Sequence, residues 1–302
     1  MVKYLKIFAQ LVHILFHLRY KDIPPASLKT LLCCIVKREN RYIRDYVKWY
    51  KDKGFTGIVI YDNNDPDGER LDEVLSDYMD EGFVRVVDFR GRKVCQLDSY
   101  RDCTFKYAPD YDWVAFFDAD EFLDFTEQMT IGQYLLQPIF RKFDMIHINW
   151  MCYGSEGKIK YDDQPVHQRF THPLCGEDSR PESYALNNHI KTIIRGRSRG
   201  RYVCWLSTPH TPNPCILRCC NAVGSPCTPN SPFNLPDYSR AFLRHYTTKS
   251  LEEFVAKVKR GYPDAQVYGA PFLKKMANCW YTYNPDSKIS RKDLLQMFNE
   301  DD

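Results

Sequence analysis

The stretch Trp113 to Phe125, WVAFFDADEFLDF, places Asp118, Asp120 and Glu121 directly after a run of five apolar residues. Carboxylates separated by one intervening residue on an extended chain lie on the same side of it, where they repel each other and lose solvation when buried. A divalent cation removes this cost, and hard oxygen ligands suit Mg²⁺ or Mn²⁺, which also bind substrate phosphates. The pattern therefore predicts a site for a metal ion and a phosphate group, with Asp118 and Asp120 as ligands.

Alternating strand and helix patterns position these acids. Apolar runs predict strands at residues 31–36, 57–62, 83–89 and 113–118. Helical spacing predicts intervening helices, with Gly54 and Gly82 closing the first two, at residues 41–53, 68–81 and 96–107. Asp67, in the turn DPDG, is expected to cap the second helix. This order indicates a parallel α/β sheet, which binds ligands at the carboxyl ends of its strands, where Asp62 and Asp118 stand.

The chain beyond these elements shows one more strand pattern, a proline-rich segment and one clearly capped helix. MIHINW (145–150) predicts a further buried strand. Residues 205–236 carry seven prolines and no periodicity, which predicts a long ordered loop or lid. Ser250 and Glu253 form a capping box that predicts a helix immediately after HYTTK (245–249).

Several motifs stand in an order typical of one enzyme family. IVKRE (35–39) is similar to a pattern Val-Lys-Asn-Glu, with Arg38 at the Asn position. Further motifs are IYDNNDPDG (60–68), which departs from the pattern at Asp65 and Pro66, Gln-x-x-x-Tyr-x-x-Cys at 96–103, NWMCYGSEG (149–157) and HYTTKSLEEFVAKVKRG (245–261). With the Asp-x-Asp-Glu-Phe context at 118–122, the chain resembles GT-A-fold glycosyltransferases, namely bacterial family-two-like and animal family-ninety-two enzymes. The resemblance covers about two thirds of the chain. It implies one GT-A domain over residues 29–302, with a Rossmann-like, mostly parallel sheet flanked by helices.

The resemblance also implies roles for individual residues. Mn²⁺ or Mg²⁺ would bridge the phosphates of a nucleotide-sugar, here expected to be a UDP-sugar. Asp120 would be a metal ligand, as would Asp118 directly or through water, and His245 is expected as the third ligand with His210 as its competitor. Side chains expected to bind the nucleotide-sugar are Lys37, Glu39, Asp62, Gln96, Asp118 and Lys249, with Lys191 as a weaker candidate. Lys37 and Glu39 have a second interpretation, an ion pair that shapes the loop after the first strand.

Catalysis with inversion, which the resemblance favours, needs a carboxylate base that takes the proton of the acceptor hydroxyl. Glu156, in the loop after MIHINW, is the candidate by position, and Glu177 and Asp178 are alternatives. Trp150 and Tyr153 either stack on a sugar ring or belong to the core.

Basic residues are concentrated at the start of the chain. The formal net charge is +3, and residues 1–29 hold five basic side chains and one acidic one, which leaves 37 basic and 38 acidic side chains elsewhere. This balance argues against a nucleic-acid partner. Residues 1–25 predict an amphipathic helix with one narrow polar stripe and no stretch of 18 apolar residues. We expect this helix to bind a membrane surface, the alternative being that it docks on protein.

The 12 cysteines do not favour a disulfide framework, because no secretory signal precedes them and many lie in apolar segments. The group Cys215, Cys219, Cys220 and Cys227 contains no Cys-x-x-Cys pair, so its spacing does not favour a structural zinc site.

The function expected from these patterns is metal-dependent transfer of a sugar to a glycan or lipid-linked oligosaccharide in surface polysaccharide biosynthesis. We expect a peripheral location at the cytoplasmic face of the membrane. One alternative is a nucleotidyltransferase of sugar phosphates, but VKREN, after the first strand, lacks the glycine-rich phosphate loop typical of that class. Another is a non-catalytic glycan-binding protein, which would tolerate loss of Asp118 and Asp120.

Overall fold

The structure is a computed structural model that describes residues 27–174, 186–196, 208–211, 217–261 and 269–299. Its strands are β1 (Thr30–Val36), β2 (Gly57–Asp62), β3 (Val84–Asp88), β4 (Trp113–Phe116), β5 (Glu121–Phe125), β6 (Met145–Cys152), β7 (Ile190–Arg195), β8 (Cys219–Asn221), β9 (Pro226–Cys227) and β10 (Ala241–His245). Its α-helices are α1 (Asn40–Asp52), α2 (Leu71–Val74), α3 (Ser76–Asp80), α4 (Gln96–Lys106), α5 (Ile131–Leu135), α6 (Val166–Arg169), α7 (Leu251–Arg260), α8 (Ala270–Tyr283) and α9 (Arg291–Asn299).

The strands form one sheet in the order β3-β2-β1-β4-β7-β6-β10-β5, with β8 on β6 and β9 on β8. β1 pairs in parallel with β2 and β4, β2 with β3, and β6 with β10 and β8. β7 is antiparallel to β4 and β6, and β5 is antiparallel to β10. The predicted α/β class, with a mostly parallel sheet flanked by helices, is confirmed.

Both faces of the sheet are covered by apolar side chains. Along β1, Leu32 and Cys34 belong to one buried cluster, and Leu31 and Cys33 belong to another. This alternation follows from the two-residue period of a strand, and it explains why β1 is a continuous apolar run. Helix α1 covers the first face, with its buried residues at helical spacing, namely Ile43, Tyr46, Val47 and Tyr50.

The segment after β2 differs from the prediction of one helix capped by Asp67. Two short helices, α2 and α3, stand there, and Arg70 precedes α2 without a side-chain cap. The backbone N–H of Leu71 instead faces the carboxylate of Asp62, 3.5 Å away. A buried strand-end acid therefore replaces the turn residue as the acceptor, an outcome that depends on tertiary packing.

Four segments contain strands that the sequence patterns did not predict, namely β5, β7, β10 and the hairpin of β8 and β9. The chain after Asp120 continues as β5, which pairs with β10 at the edge of the sheet. The described part of 205–236 contains the hairpin formed by β8 and β9, so the prediction of a segment without regular structure is wrong there. Both hairpin strands are too short for periodicity to reveal them.

The predicted amphipathic helix at 1–25 lies outside the described residues, as do Glu177 and Asp178. None of the helices that the structure describes has the length and apolar character required to cross a membrane. Helices α8 and α9 pack with α7 around a third apolar cluster that includes Phe254, Trp280 and Phe298.

Candidate active site

The end of β1, the turn after β4, the end of β10 and helix α7 meet at one edge of the sheet. A cavity of about 110 Å³ lies between them, lined by Ile35, Val36, Lys37, Glu39, Gln96, Asp118, Ala119, Asp120, Lys257 and Arg260. A larger cleft of about 540 Å³ shares Glu39, Lys257 and Arg260 with this cavity, and Lys249 also lines it. The structure thus brings together most of the residues expected to bind a nucleotide-sugar, the exception being Asp62.

Asp118 is held by three donors from two elements. Its Oδ1 accepts hydrogen bonds from Gln96 Nε2 and the Tyr100 hydroxyl, both at 3.0 Å. Its Oδ2 lies 2.7 Å from Lys191 Nζ, a lysine on β7 with a fully buried side chain. Both carboxylate oxygens are therefore already occupied by protein donors, which fix the orientation of Asp118.

Glu121 lies beneath Asp118 and does not face the cavity. Its Oε2 accepts a 2.8 Å hydrogen bond from the backbone N–H of Asp118 and lies 3.8 Å from Lys191 Nζ. Burial, reinforced by the charges of Asp118 and Asp120, raises the pKa of Glu121 well above its usual value. Lys191 Nζ therefore lies near the carboxyl groups of both Asp118 and Glu121.

Asp120 has a different partner set that includes a histidine. Its Oδ2 accepts a 2.6 Å hydrogen bond from Lys257 Nζ, and its Oδ1 lies 3.8 Å from His245 Nε2. Burial raises the pKa of Asp120, but the charges of Lys257 and Lys249 outweigh burial and hold it well below the usual value. Burial lowers the pKa of His245 to about 3, so its imidazole is neutral and can act as a ligand.

Two ligand atoms at about 2.1 Å from one cation lie at most about 4.2 Å apart, so Asp120 Oδ1 and His245 Nε2 can share one. Asp118 does not complete a three-ligand set with them. Among the described residues, only His147, Cys219 and Cys227 bring three ligand atoms of this type within 4.8 Å of one another. The donor set fits a cation held by one carboxylate and one imidazole, with the remaining positions left to water and phosphate oxygens.

Glu39 lines the same cavity and forms ion pairs with two basic side chains. Its carboxylate contacts Arg260 at 2.5 Å and Lys249 at 3.5 Å. The predicted alternative, an ion pair between Lys37 and Glu39, is wrong, because Lys37 Nζ instead contacts Asp65 Oδ1 at 3.1 Å. The ion-pair partners of Glu39 are instead Lys249 and Arg260, which lie more than 200 residues further along the chain.

Lys249 is buried rather than solvated. Its Nζ lies 3.6 Å from the centre of the Tyr42 ring, and its backbone has a φ of 54°. Burial lowers its pKa. A non-glycine residue in this left-handed region is strained by about 1–3 kcal/mol, so the surrounding contacts must hold it in place.

Helix α7 supplies basic side chains that the sequence analysis did not single out. Its capping box, Ser250 with Glu253, is confirmed. Glu253, Lys257 and Arg260 recur at i, i+4 and i+7, so they lie along one face of the helix. Lys257 reaches Asp120, Arg260 reaches Glu39, and Glu253 pairs with the buried Arg169 at 2.8 Å. The regular spacing of these charged residues on a helix with a predicted capping box is the sequence signal that could have identified them.

His210, the competing metal ligand, is bound by a backbone group through one of its ring nitrogens. Its Nδ1 contacts the backbone oxygen of Ile190 at 2.8 Å, and burial lowers its pKa to about 4. The Trp150 ring contacts three imidazoles, with centroid distances of 4.0 Å to His245, 4.8 Å to His189 and 5.6 Å to His210. Trp150 therefore packs directly against the His245 ring.

Asp62 and Glu156 are both engaged by backbone groups. Asp62 is buried, and its Oδ1 accepts from the N–H of Asn64 at 3.0 Å. Glu156 Oε1 accepts from the N–H groups of Thr171 and His172, and Glu156 lines a separate cleft of about 490 Å³. Neither residue lines the cavity beside Asp118 and Asp120.

Comparison with known proteins supplies a family. The model of glycosyltransferase family 92 matches residues 30–201, more than half of the chain. A glycosyltransferase family 92 protein of rice (Oryza sativa subsp. japonica) is 28% identical over 175 residues, which are 54% of this chain. The match covers 28% of that rice protein, so this chain spans less than a third of the relative's length.

Solved structures of TarS from S. aureus resemble the chain more distantly. The complex of TarS 1–349 with UDP-GlcNAc gives a TM-score of 0.41 at 9% identity, covering 90% of this chain and 70% of TarS 1–349. A second TarS structure gives 0.41 at 11% identity, over 89% of this chain and 42% of that one. Similarity at this level supports no argument about residues or ligands.

Proposed function

Because this chain belongs to glycosyltransferase family 92, we propose that it transfers a sugar from a nucleotide-sugar, specifically a UDP-sugar, to a glycan or lipid-linked acceptor. The observation that carries this proposal is the charged edge of the sheet, where the acidic residues of Asp118–Glu121 lie close to basic side chains. Lys191, Lys249, Lys257 and Arg260 face the carboxylates of Asp118, Asp120 and Glu39.

This charge arrangement suits a departing diphosphate. Four basic side chains stand against these carboxylates at the edge before any ligand arrives. Lys257 and Arg260 line both the cavity and the larger cleft. Fixed positive charge near the leaving group stabilises the negative charge that grows there during sugar transfer.

We further propose that Asp120 and His245 hold Mn²⁺ or Mg²⁺, with Asp118 acting through a water molecule. The bound cation would supply Lewis-acid stabilisation of the diphosphate. In this arrangement Lys191, Gln96 and Tyr100 hold Asp118 in place, and Trp150 holds the His245 ring. Inversion, Glu156 as the base, surface polysaccharide as the product and the membrane location stay predictions.

A second candidate follows from the lysines, since Lys191 and Lys257 already neutralise Asp118 and Asp120 at 2.7 and 2.6 Å. In this version, Lys257 and Arg260 neutralise the diphosphate directly and no cation is needed. The two versions predict opposite responses to a chelator.

The test is release of nucleoside diphosphate from a panel of sugar nucleotides, with Mn²⁺, Mg²⁺ or EDTA and with glycan acceptors. We expect turnover with a UDP-sugar that EDTA abolishes and Mn²⁺ restores. Pyrophosphate as the product would identify a nucleotidyltransferase instead. Absence of turnover with every donor and acceptor, while donors still bind, would favour a binding protein.

Lys257→Ala and the control Lys274→Ala, an exposed lysine on α8, separate the two versions. Turnover that resists EDTA but falls about 10²-fold or more in Lys257→Ala alone would assign charge neutralisation to the lysine. Equal activity of both variants would exclude a role for Lys257.

A further inference from the structure

The hairpin of β8 and β9 places two cysteines beside a buried histidine. Cys219 is the direct partner of Cys227 across the hairpin, and β8 pairs with β6 in a register that aligns Asn221 with His147. Side chains two residues apart on a strand share a face, so Cys219 and His147 lie on the same face of the sheet, while Cys220 lies on the other. The register alone therefore brings one imidazole and two thiols together.

The distances between these groups are those of a ligand cluster. The Sγ atoms of Cys219 and Cys227 are 2.9 Å apart, and Cys227 Sγ lies 3.5 Å from His147 Nδ1. All three ligand atoms lie within 4.8 Å of one another. The His147 side chain is fully buried, and its Nε2 has no hydrogen-bond partner.

We propose that His147, Cys219 and Cys227 bind one thiolate-preferring divalent cation, for which Zn²⁺ is the probe. Zn–S bonds of about 2.3 Å and Zn–N bonds of about 2.0–2.1 Å at tetrahedral angles place neighbouring S and N ligands about 3.6 Å apart, close to the observed separation of Cys227 and His147. Two sulfur ligands lie about 3.8 Å apart, so the thiols separate by about 0.9 Å on binding. Sulfur ligands select against Mg²⁺ and Mn²⁺, which distinguishes this cluster from the Asp120 site.

Asn234 stands at the fourth position. Its side-chain amide lies 3.0 Å from His147 Nδ1, and rotation of that amide presents its oxygen in place of its nitrogen. The Asn234 backbone is already fixed, because its N–H donates to Asn188 O at 2.8 Å and its carbonyl accepts from Asn149 Nδ2 at 2.9 Å. Asn234 or a water molecule completes the tetrahedron.

The cluster would stabilise the loop beside the candidate active site. Phe233, next to Asn234, contacts the His189 ring at 4.6 Å, and His189 stacks on Trp150. Trp150 in turn contacts His245. A cation that joins β6 to the hairpin therefore fixes the start of a chain of aromatic contacts that ends at His245, the proposed metal ligand.

The test is titration of the purified, reduced and demetallated full chain with Co²⁺ and then Zn²⁺. We expect one equivalent of Co²⁺ to give thiolate-to-cobalt charge-transfer absorption with the strong visible bands of tetrahedral cobalt, and Zn²⁺ to displace it. Cys219→Ser and Cys227→Ser should lose this absorption. Cys220→Ala, on the opposite face, and Asp120→Asn should keep it, because neither changes a proposed ligand.

Two results would overturn the proposal. One is wild-type protein that binds no equivalent of Co²⁺ or Zn²⁺, a measurement that needs no variant to fold. The other is charge-transfer absorption that persists in Cys227→Ser. Mass loss of two hydrogens without a reductant, together with absence of metal binding after reduction, would identify the pair as a disulfide.

Discussion

The two acids of the motif, Asp118 and Asp120, are separated by one residue and have different surroundings. Asp118 is saturated by Gln96, Tyr100 and a fully buried Lys191. Asp120 meets a lysine that also lines the cleft, and its second oxygen faces a neutral histidine. The difference indicates that Asp118 is held in place by three protein donors, whereas Asp120 lies between Lys257 and the histidine proposed to share a cation with it.

The largest expected effect is on stability, from Asp118→Asn. This substitution leaves the buried charge of Lys191 without its partner, which should lower the free energy of unfolding by about 3–5 kcal/mol. Urea denaturation measures the loss. The double variant with Lys191→Met no longer carries the unpaired buried charge and should recover most of the lost free energy of unfolding. If Asp118→Asn alone were as stable as the wild type, Asp118 would not be the partner that stabilises Lys191.

Asp120→Asn should affect turnover more than folding. Loss of a ligand to the proposed cation, which stabilises the leaving diphosphate, should reduce kcat by about 10²–10³-fold, or about 2.7–4 kcal/mol in the barrier. Initial rates of nucleoside diphosphate release measure this, and circular dichroism checks that the fold is kept. If Asp120→Asn retained more than a tenth of wild-type activity, the proposed difference in role between Asp120 and Asp118 would be wrong.

Helix α7, which brings Lys257 to Asp120, is fixed by a buried acid whose effect depends on pH. Glu253 accepts hydrogen bonds from Arg169, Ser250 and Tyr42. Burial raises its pKa, but Arg169, Ser250 and Lys249 lower it to about 2 from a model-compound value of 4.5. The resulting stability is present above pH 4.5 and is lost as the pH falls towards 2.

The size of this contribution is about 3–4 kcal/mol, from the pKa difference at about 1.4 kcal/mol per unit. Chemical denaturation between pH 2 and 6 measures it as a fall in the free energy of unfolding. Glu253→Gln should be less stable at neutral pH and should lose this part of the pH dependence. An unchanged pH profile in that variant would assign the acid sensitivity elsewhere.

Tyr100→Phe should have the smallest effect. It removes one of two donors to Asp118 Oδ1, and Gln96 still satisfies that oxygen, so the expected loss of stability is about 1 kcal/mol. Thermal denaturation measures the shift. A loss of stability as large as that of Asp118→Asn would show that the Tyr100 hydroxyl, rather than Lys191, contributes most of the stabilisation of Asp118.

Local sequence patterns predicted the strands and helices in which apolar residues recur with a clear periodicity. The burial of β1 and β2, the helical face of α1, the glycine after it and the capping box of α7 are all confirmed, because each depends on nearest neighbours along the chain. Strand β5 and the β8–β9 hairpin escaped prediction, because they exist through pairing with distant strands.

The sequence by itself determined the α/β class and the position of an acidic motif at a strand end, since burial period and turn chemistry are local properties. Tertiary structure decided which partner each acid has. Lys191 and Lys257 lie 73 and 137 residues from Asp118 and Asp120, and His147 lies 80 residues from Cys227. Charges and ligands that meet across such separations are set by strand order and register, which no local spacing records.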